Sequence, residues 1–162
     1  MERIKIINSK EKISADFKYE EYFKPRGIKD YGEFEIPICL VNGVQKIREY
    51  FGISFQITSA FRPNDKFGQH RFGEAVDLVP TNQKMILPIL SEFKTCCINH
   101  KTNTLIRSLR SLGVNGFGVE AYCIHIDYRP DERCHLKDEF GRYCVFEWTN
   151  DGSAFGKSKL IY

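Results

Sequence analysis

The stretch QHRFGEAVDL, residues 69–78, sets His70 and Asp77 seven positions apart around Gly73 and Ala75. Side chains seven apart on an unbroken strand point to opposite faces, because they alternate. Both can face one point only if the chain bends between them. RFG supplies that bend, with Gly73 free to take a positive φ. A strand over 74–79 then places Ala75 and Asp77 on one face, with Ala75 leaving room beside the carboxylate, and Val76 and Leu78 on the other, toward the core. An imidazole nitrogen and a carboxylate oxygen are both zinc ligands, and a catalytic zinc takes three protein ligands and a water. The best candidate for the third is His125 in CIHIDYR, which falls in a predicted strand with Asp127 two residues on and so on the same face. The remaining histidines are His100, in a polar segment between helices, and His135, near a charged turn.

The elements that must position these residues follow from periodicity. Apolar residues at 40, 41, 44, 47 and 51 have helical spacing, so a helix is predicted over 38–51 in spite of Gly43, closing at Gly52. ISFQITSAF, 53–61, alternates as a strand and passes into a loop at RPND. Residues 82–98 read as helical with a break at Pro88. A clearer helix covers 102–113, with Leu105, Ile106, Leu109 and Leu112 on one side and Gly113 as its stop. Two more strands are predicted over 119–129 and 142–148. The aromatic segment 1–35, ending near the turn signal KPRG, is expected to lie over the core. These elements define an α+β fold, a small and mainly antiparallel sheet with helices packed on one face.

Composition restricts the function. With 162 residues, 42% of them hydrophobic and 14% aromatic, the chain suffices for one core, and a single domain over 1–162 is expected. Its 24 Lys and Arg stand against 21 Asp and Glu, and no basic run exceeds two residues, so nothing favours nucleic acid as a partner. No apolar run is long enough for a signal peptide or a membrane span, which predicts a protein made in the cytoplasm without membrane insertion. Six cysteines without a secretion signal are expected to be buried thiols. A small structural metal site using Cys134, His135 and Cys144 ranks lower, since no CxxC pair occurs.

Three motifs in order, SAFR at 59–62, HxxGxAxD from His70 to Asp77, and HID at 125–127, resemble the zinc D-alanyl-D-alanine metallopeptidase family. That family's superfamily also contains the lysostaphin-type peptidases and the hedgehog signalling domain. Within it the chain looks most like small phage and bacterial cell-wall peptidases, over roughly residues 15–148. The resemblance implies a hedgehog-like fold with a single zinc held by His70, Asp77 and His125. It also implies Arg62 near the substrate, and peptidoglycan stem peptides or crosslinks as what is cut, by a carboxypeptidase or an endopeptidase. The chemistry agrees, because zinc lowers the pKa of its water to about 7 and polarises the carbonyl under attack. A guanidinium fork suits a substrate carboxylate. Ser59 could position Arg62 or support a ligand, or simply end a strand.

The chain departs from the family at two positions. Gly68 stands where a serine is common, two before the first ligand, and Tyr122 where a Glu or Asp usually lies three before the last histidine. Glu120 is the nearest acidic residue on that side and the candidate general base. Strand parity puts it opposite His125 unless a bulge intervenes between Val119 and Cys123. Asp127 has the right parity but resembles a supporting residue. Glu74 is expected to face away from Asp77 into solvent. The alternatives to a peptidase are a zinc-binding module with weak or no turnover, or a virion-associated structural protein of the same fold.

Overall fold

The computed structural model describes residues 1–24, 30–66, 68–120 and 122–129, and the backbone alone of strands within 133–137, 143–147 and 159–160. The chain opens with strand β1 (Arg3–Ile6), which pairs antiparallel with β2 (Phe34–Pro37), Ile4 opposite Ile36. Between them lies the short helix α1 (Tyr19–Phe23). Ile6, Phe17, Tyr22 and Phe23 from this segment are buried in the common core. The turn at KPRG falls largely outside the described residues.

Helix α2 (Ile38–Phe51) follows directly and buries Leu40, Val41, Val44 and Ile47 on one side. It ends as predicted at Gly52, whose φ of 64° is the left-handed cap that costs glycine nothing. Gly43 is there for a packing reason. A Cβ at this position would stand 3.0 Å from Val114 Cγ2, 3.2 Å from Ile126 Cδ1 and 3.4 Å from Leu109 Cδ2, so its absence lets α2 lie close to the sheet.

The main sheet runs β3 (Phe55–Ser59), β4 (Ala75–Pro80), β6 (Ile124–Asp127), β5 (Gly116–Val119), β7 (Arg133–Lys137), β8 (Tyr143–Glu147) and β9 (Lys159–Leu160), in that spatial order. Every pair is antiparallel except β5 with β7. Val76, Leu78, Phe117, Val119, Ile124 and Ile126 point to one face and form the core with α2, α3 (Ile86–Ile98) and α4 (Thr104–Leu112). Burying each such side chain contributes about 1.5–3 kcal/mol. Ala75, Asp77, Gly116, Gly118, His125 and Asp127 occupy the alternate positions and the opposite face. The α+β class with helices on one face is the architecture the periodicity predicts.

Several expectations need correction. Pro88 does not break a helix: α3 begins at Ile86, after a 3-10 turn over Gln83–Met85, and Pro88 lies in its first turn, where a missing N–H forfeits no intrahelical bond. The strand predicted over 119–129 is two strands. Val119 ends β5, unforeseen as a strand, and β6 starts only at Ile124; the two join in a tight hairpin closed by Glu120 N–H donating to Cys123 C=O at 3.0 Å. Glu74 is not a solvated side chain, because it is ion-paired with Arg3. Cys39, Cys96, Cys97 and Cys123 are buried, and burial pushes the Cys39 thiol up to about 11. The side chains of Cys134, His135 and Cys144, the lower-ranked metal set, lie outside the described residues. No helix among the described residues is long and apolar enough to cross a membrane.

Candidate metal centre

His70 is delivered by a short 3-10 helix, Gln69–Phe72, and the bend expected from RFG is real: Gly73 has φ 68° and its N–H donates to His70 C=O at 3.1 Å. Only glycine fits there, since a Cβ would approach the Glu35 carbonyl oxygen to 2.7 Å. The chain then enters β4, where Asp77 pairs in register with His125 of β6, and Ala75 with Asp127. Two candidate ligands seven residues apart in sequence and a third 48 residues later thus come together. His70 Nε2 lies 3.2 Å from Asp77 Oδ1, and His125 Nδ1 lies 2.8 Å from the same oxygen. Two donors bound at about 2.0–2.1 Å to a tetrahedral ion stand about 3.4 Å apart, so this spacing suits a single cation.

The outward hydrogen bonds fix the tautomers. His70 Nδ1 faces the Ala60 carbonyl oxygen at 2.8 Å, and a carbonyl can only accept, so Nδ1 carries the proton. His125 Nε2 donates to Asp127 Oδ2 at 3.0 Å, while its Nδ1 faces the Asp77 carboxylate at 2.8 Å, so a metal at Nδ1 must displace a proton shared with Asp77. With that proton displaced, His70 Nε2, His125 Nδ1 and Asp77 are electron-pair donors, and the ligand atoms of this buried group lie within 4.8 Å of one another. Three lone pairs turned on one point call for a cation, and the group fits a metal ion. Burial opposes the charge of each titrating group here, yet the hydrogen bonds prevail. Asp77 is held well below the usual carboxylate range by His125 and His70, and Asp127 by His125 and Arg129. His125 is pushed up to about 10 by Asp127 and Asp77, the proton taking the place a metal would compete for.

The predicted substrate residues adjoin this group by way of an irregularity. In β3, Ile57 pairs with Leu78 but Ser59 pairs with Asp77, so Thr58 is an extra residue in the ladder. A regular register would set Ser59 opposite Val76 on the helix-packed side. The bulge turns it to the metal face, where its Oγ is 3.3 Å from His70 Nδ1. Ser59 therefore sits beside His70. Arg62 follows with its N–H on the His70 carbonyl at 2.9 Å; its half-exposed guanidinium has Nη2 3.9 Å from Asp77 Oδ2 and Nε 3.1 Å from Asp65 Oδ2.

Among the described residues no bulge lies between Val119 and Cys123, and a hairpin takes its place. Glu120 follows β5 and bonds through its N–H to Cys123 C=O, so it keeps the parity of Gly118, the partner of His125. Cys123 Sγ, two residues before His125, lies 3.9 Å from Glu120 Oε2. Tyr122 projects from the hairpin tip, 61% exposed. Asp127 is fully buried behind His125.

Two participants were not singled out in the sequence. Arg129 donates to both oxygens of Asp127, and its parity with 125 and 127 in HIDYR was the available signal. Gly116 faces Asp127 across the β5–β6 ladder, and the alternation in GFG was its signal. No family model, curated protein or solved structure matches the chain. The function is therefore read from the site.

Proposed function

We propose that this protein is a zinc-dependent peptidase hydrolysing peptide bonds in peptidoglycan stem peptides or crosslinks. The observation that carries the reading is the convergence of two imidazoles and one carboxylate with their tautomers set for ligation. Two nitrogens and one oxygen suit zinc, and three protein ligands are the usual complement of a catalytic rather than a structural zinc. When bound, zinc supplies an acidified water and a Lewis acid for the scissile carbonyl. The chain's own residues do the rest. Ala60 and Ser59 orient His70, and Asp127 orients His125. Glu120, on the metal face at the hairpin, is the group assigned to take the water's proton and pass it to the leaving amine. Arg62 is assigned to the substrate's carboxylate, which its guanidinium can grip with two parallel hydrogen bonds. The substrate class rests on the order of SAFR, HxxGxAxD and HID, which resembles the D-alanyl-D-alanine metallopeptidases.

Digestion of purified peptidoglycan by the zinc-loaded protein, followed by mass spectrometry, tests this. New amino termini are expected and identify the bond cut. Unchanged fragments from a protein that does bind zinc would make it a binding module instead, a reading that the exposed Tyr122 at the usual base position favours.

A further inference from the structure

We infer that Arg129 is the positioning residue of the metal centre, fixing the tautomer and tilt of His125 through Asp127, and that Gly116 is the gap that admits the Asp127 carboxylate. The inference rests on reading His125 as a ligand. Arg129 engages Asp127 as a fork, Nε to Oδ1 and Nη2 to Oδ2. Both oxygens being held, the carboxylate cannot rotate, and the remaining capacity of Oδ2 receives His125 Nε2–H at 3.0 Å. A carboxylate left to itself could turn to offer either oxygen at several angles. Clamped, it offers one direction, and the imidazole must present Nδ1 on the opposite side.

The clamp is itself anchored. Tyr128 N–H donates to Glu74 C=O at 2.8 Å and Gln69 Nε2 to Tyr128 C=O at 2.8 Å, while Asn115 Nδ2 donates to Arg129 C=O at 3.0 Å. Gln69 and Glu74 belong to the segment that carries His70 and leads into Asp77, so Arg129 is referenced to the other two ligands. On the far side of Asp127 a Cβ at position 116 would fall inside van der Waals contact of all three carboxylate atoms. An ordinary residue there would force the clamped carboxylate out of place, and His125 with it.

The test is metal binding by the whole chain, not turnover. Zinc affinity is measured by competition with a chromophoric chelator, the visible spectrum of the cobalt-substituted protein reports ligand geometry, and thermal melting controls for fold. Arg129→Met and Gly116→Ala are each expected to weaken zinc by about 10- to 100-fold, the range for supports of metal ligands, and to change the cobalt spectrum in the same sense. Arg129→Lys keeps a cation but loses the fork, so it should fold and still show the altered spectrum. Arg129→Met combined with Asp127→Asn should cost no more than Asp127→Asn alone, because the arginine acts through the aspartate. The inference is overturned if wild type binds zinc and a folded Arg129→Lys or Arg129→Met keeps both affinity and spectrum. Fully additive losses in the double variant would also overturn it. A wild type that binds neither zinc nor cobalt removes the metal reading itself, a separate and distinguishable failure.

Discussion

What an imidazole can do in this site is decided by what stands behind it. His70 has a carbonyl behind Nδ1 and His125 a carboxylate behind Nε2, so the two rings turn different nitrogens toward one oxygen of Asp77. Glu120, proposed as the base, has the strand parity of His125. Glu120→Gln should keep zinc and melting temperature while losing about 10²-fold or more in rate, the scale of acid–base catalysis; steady-state hydrolysis of a stem peptide measures it, and an unimpaired variant would end the assignment. Arg62→Lys keeps the charge but not the two-pronged grip, so it should retain zinc and lose roughly 10-fold or more in kcat/KM, as expected for a hydrogen bond to a charged group. Comparing substrates with free and amidated carboxylates checks the role, because wild type should discriminate between them and the variant much less.

The elements contribute through their irregularities more than their regular parts. The extra residue at Thr58 moves Ser59 onto the metal face, and the hairpin at 120–123 returns Glu120 to the side of His125. The glycine turn after the 3-10 helix aims His70 back at β4. Helix α2 acts from the other side of the sheet, and Gly43 sets how close it lies. Gly43→Ala would gain about 1 kcal/mol of helix propensity. It would also push a methyl against Val114, Ile126 and Leu109 at 3.0–3.4 Å, and overpacking of this kind costs about 1–3 kcal/mol. The crowding should win by about 1 kcal/mol, read as a fall in Tm of roughly 2–4 °C. A variant as stable as wild type would show that the three side chains give way freely.

For the molecule as a whole, the sheet separates two tasks. One face is closed by α2, α3 and α4 over an apolar core, and the other carries the candidate metal ligands and their supports. Folding should therefore not require the metal. Chelation should leave the far-ultraviolet circular dichroism unchanged. Zinc at about a thousand times its Kd should add about 4 kcal/mol, seen as a Tm higher by roughly 10 °C for a chain of this size. Loss of the folded spectrum on chelation would mean that the ion is structural. The same experiment on His70→Ala or His125→Ala should show no zinc-dependent rise.

The local features could be read from the chain alone. The turn at Gly73, the stop at Gly52 and the stop at Gly113 depend on φ values set locally, and the shared face of His125 and Asp127 depends only on alternation. The pairing of His70 with Asp77 was visible for the same reason, a bend between two nearby residues. Alternation failed where the ladder departed from regularity. It could not show the extra residue at Thr58, nor that 119–129 folds back on itself, because register and chain reversal are chosen by cross-strand hydrogen bonds and by burial of Phe117, Val119, Ile124 and Ile126 together. Gly116 and Arg129 gained their meaning only once β5 lay beside β6. The space that Gly116 leaves is filled by Asp127, whose charge Arg129 satisfies, and that carboxylate is buried by the tertiary fold.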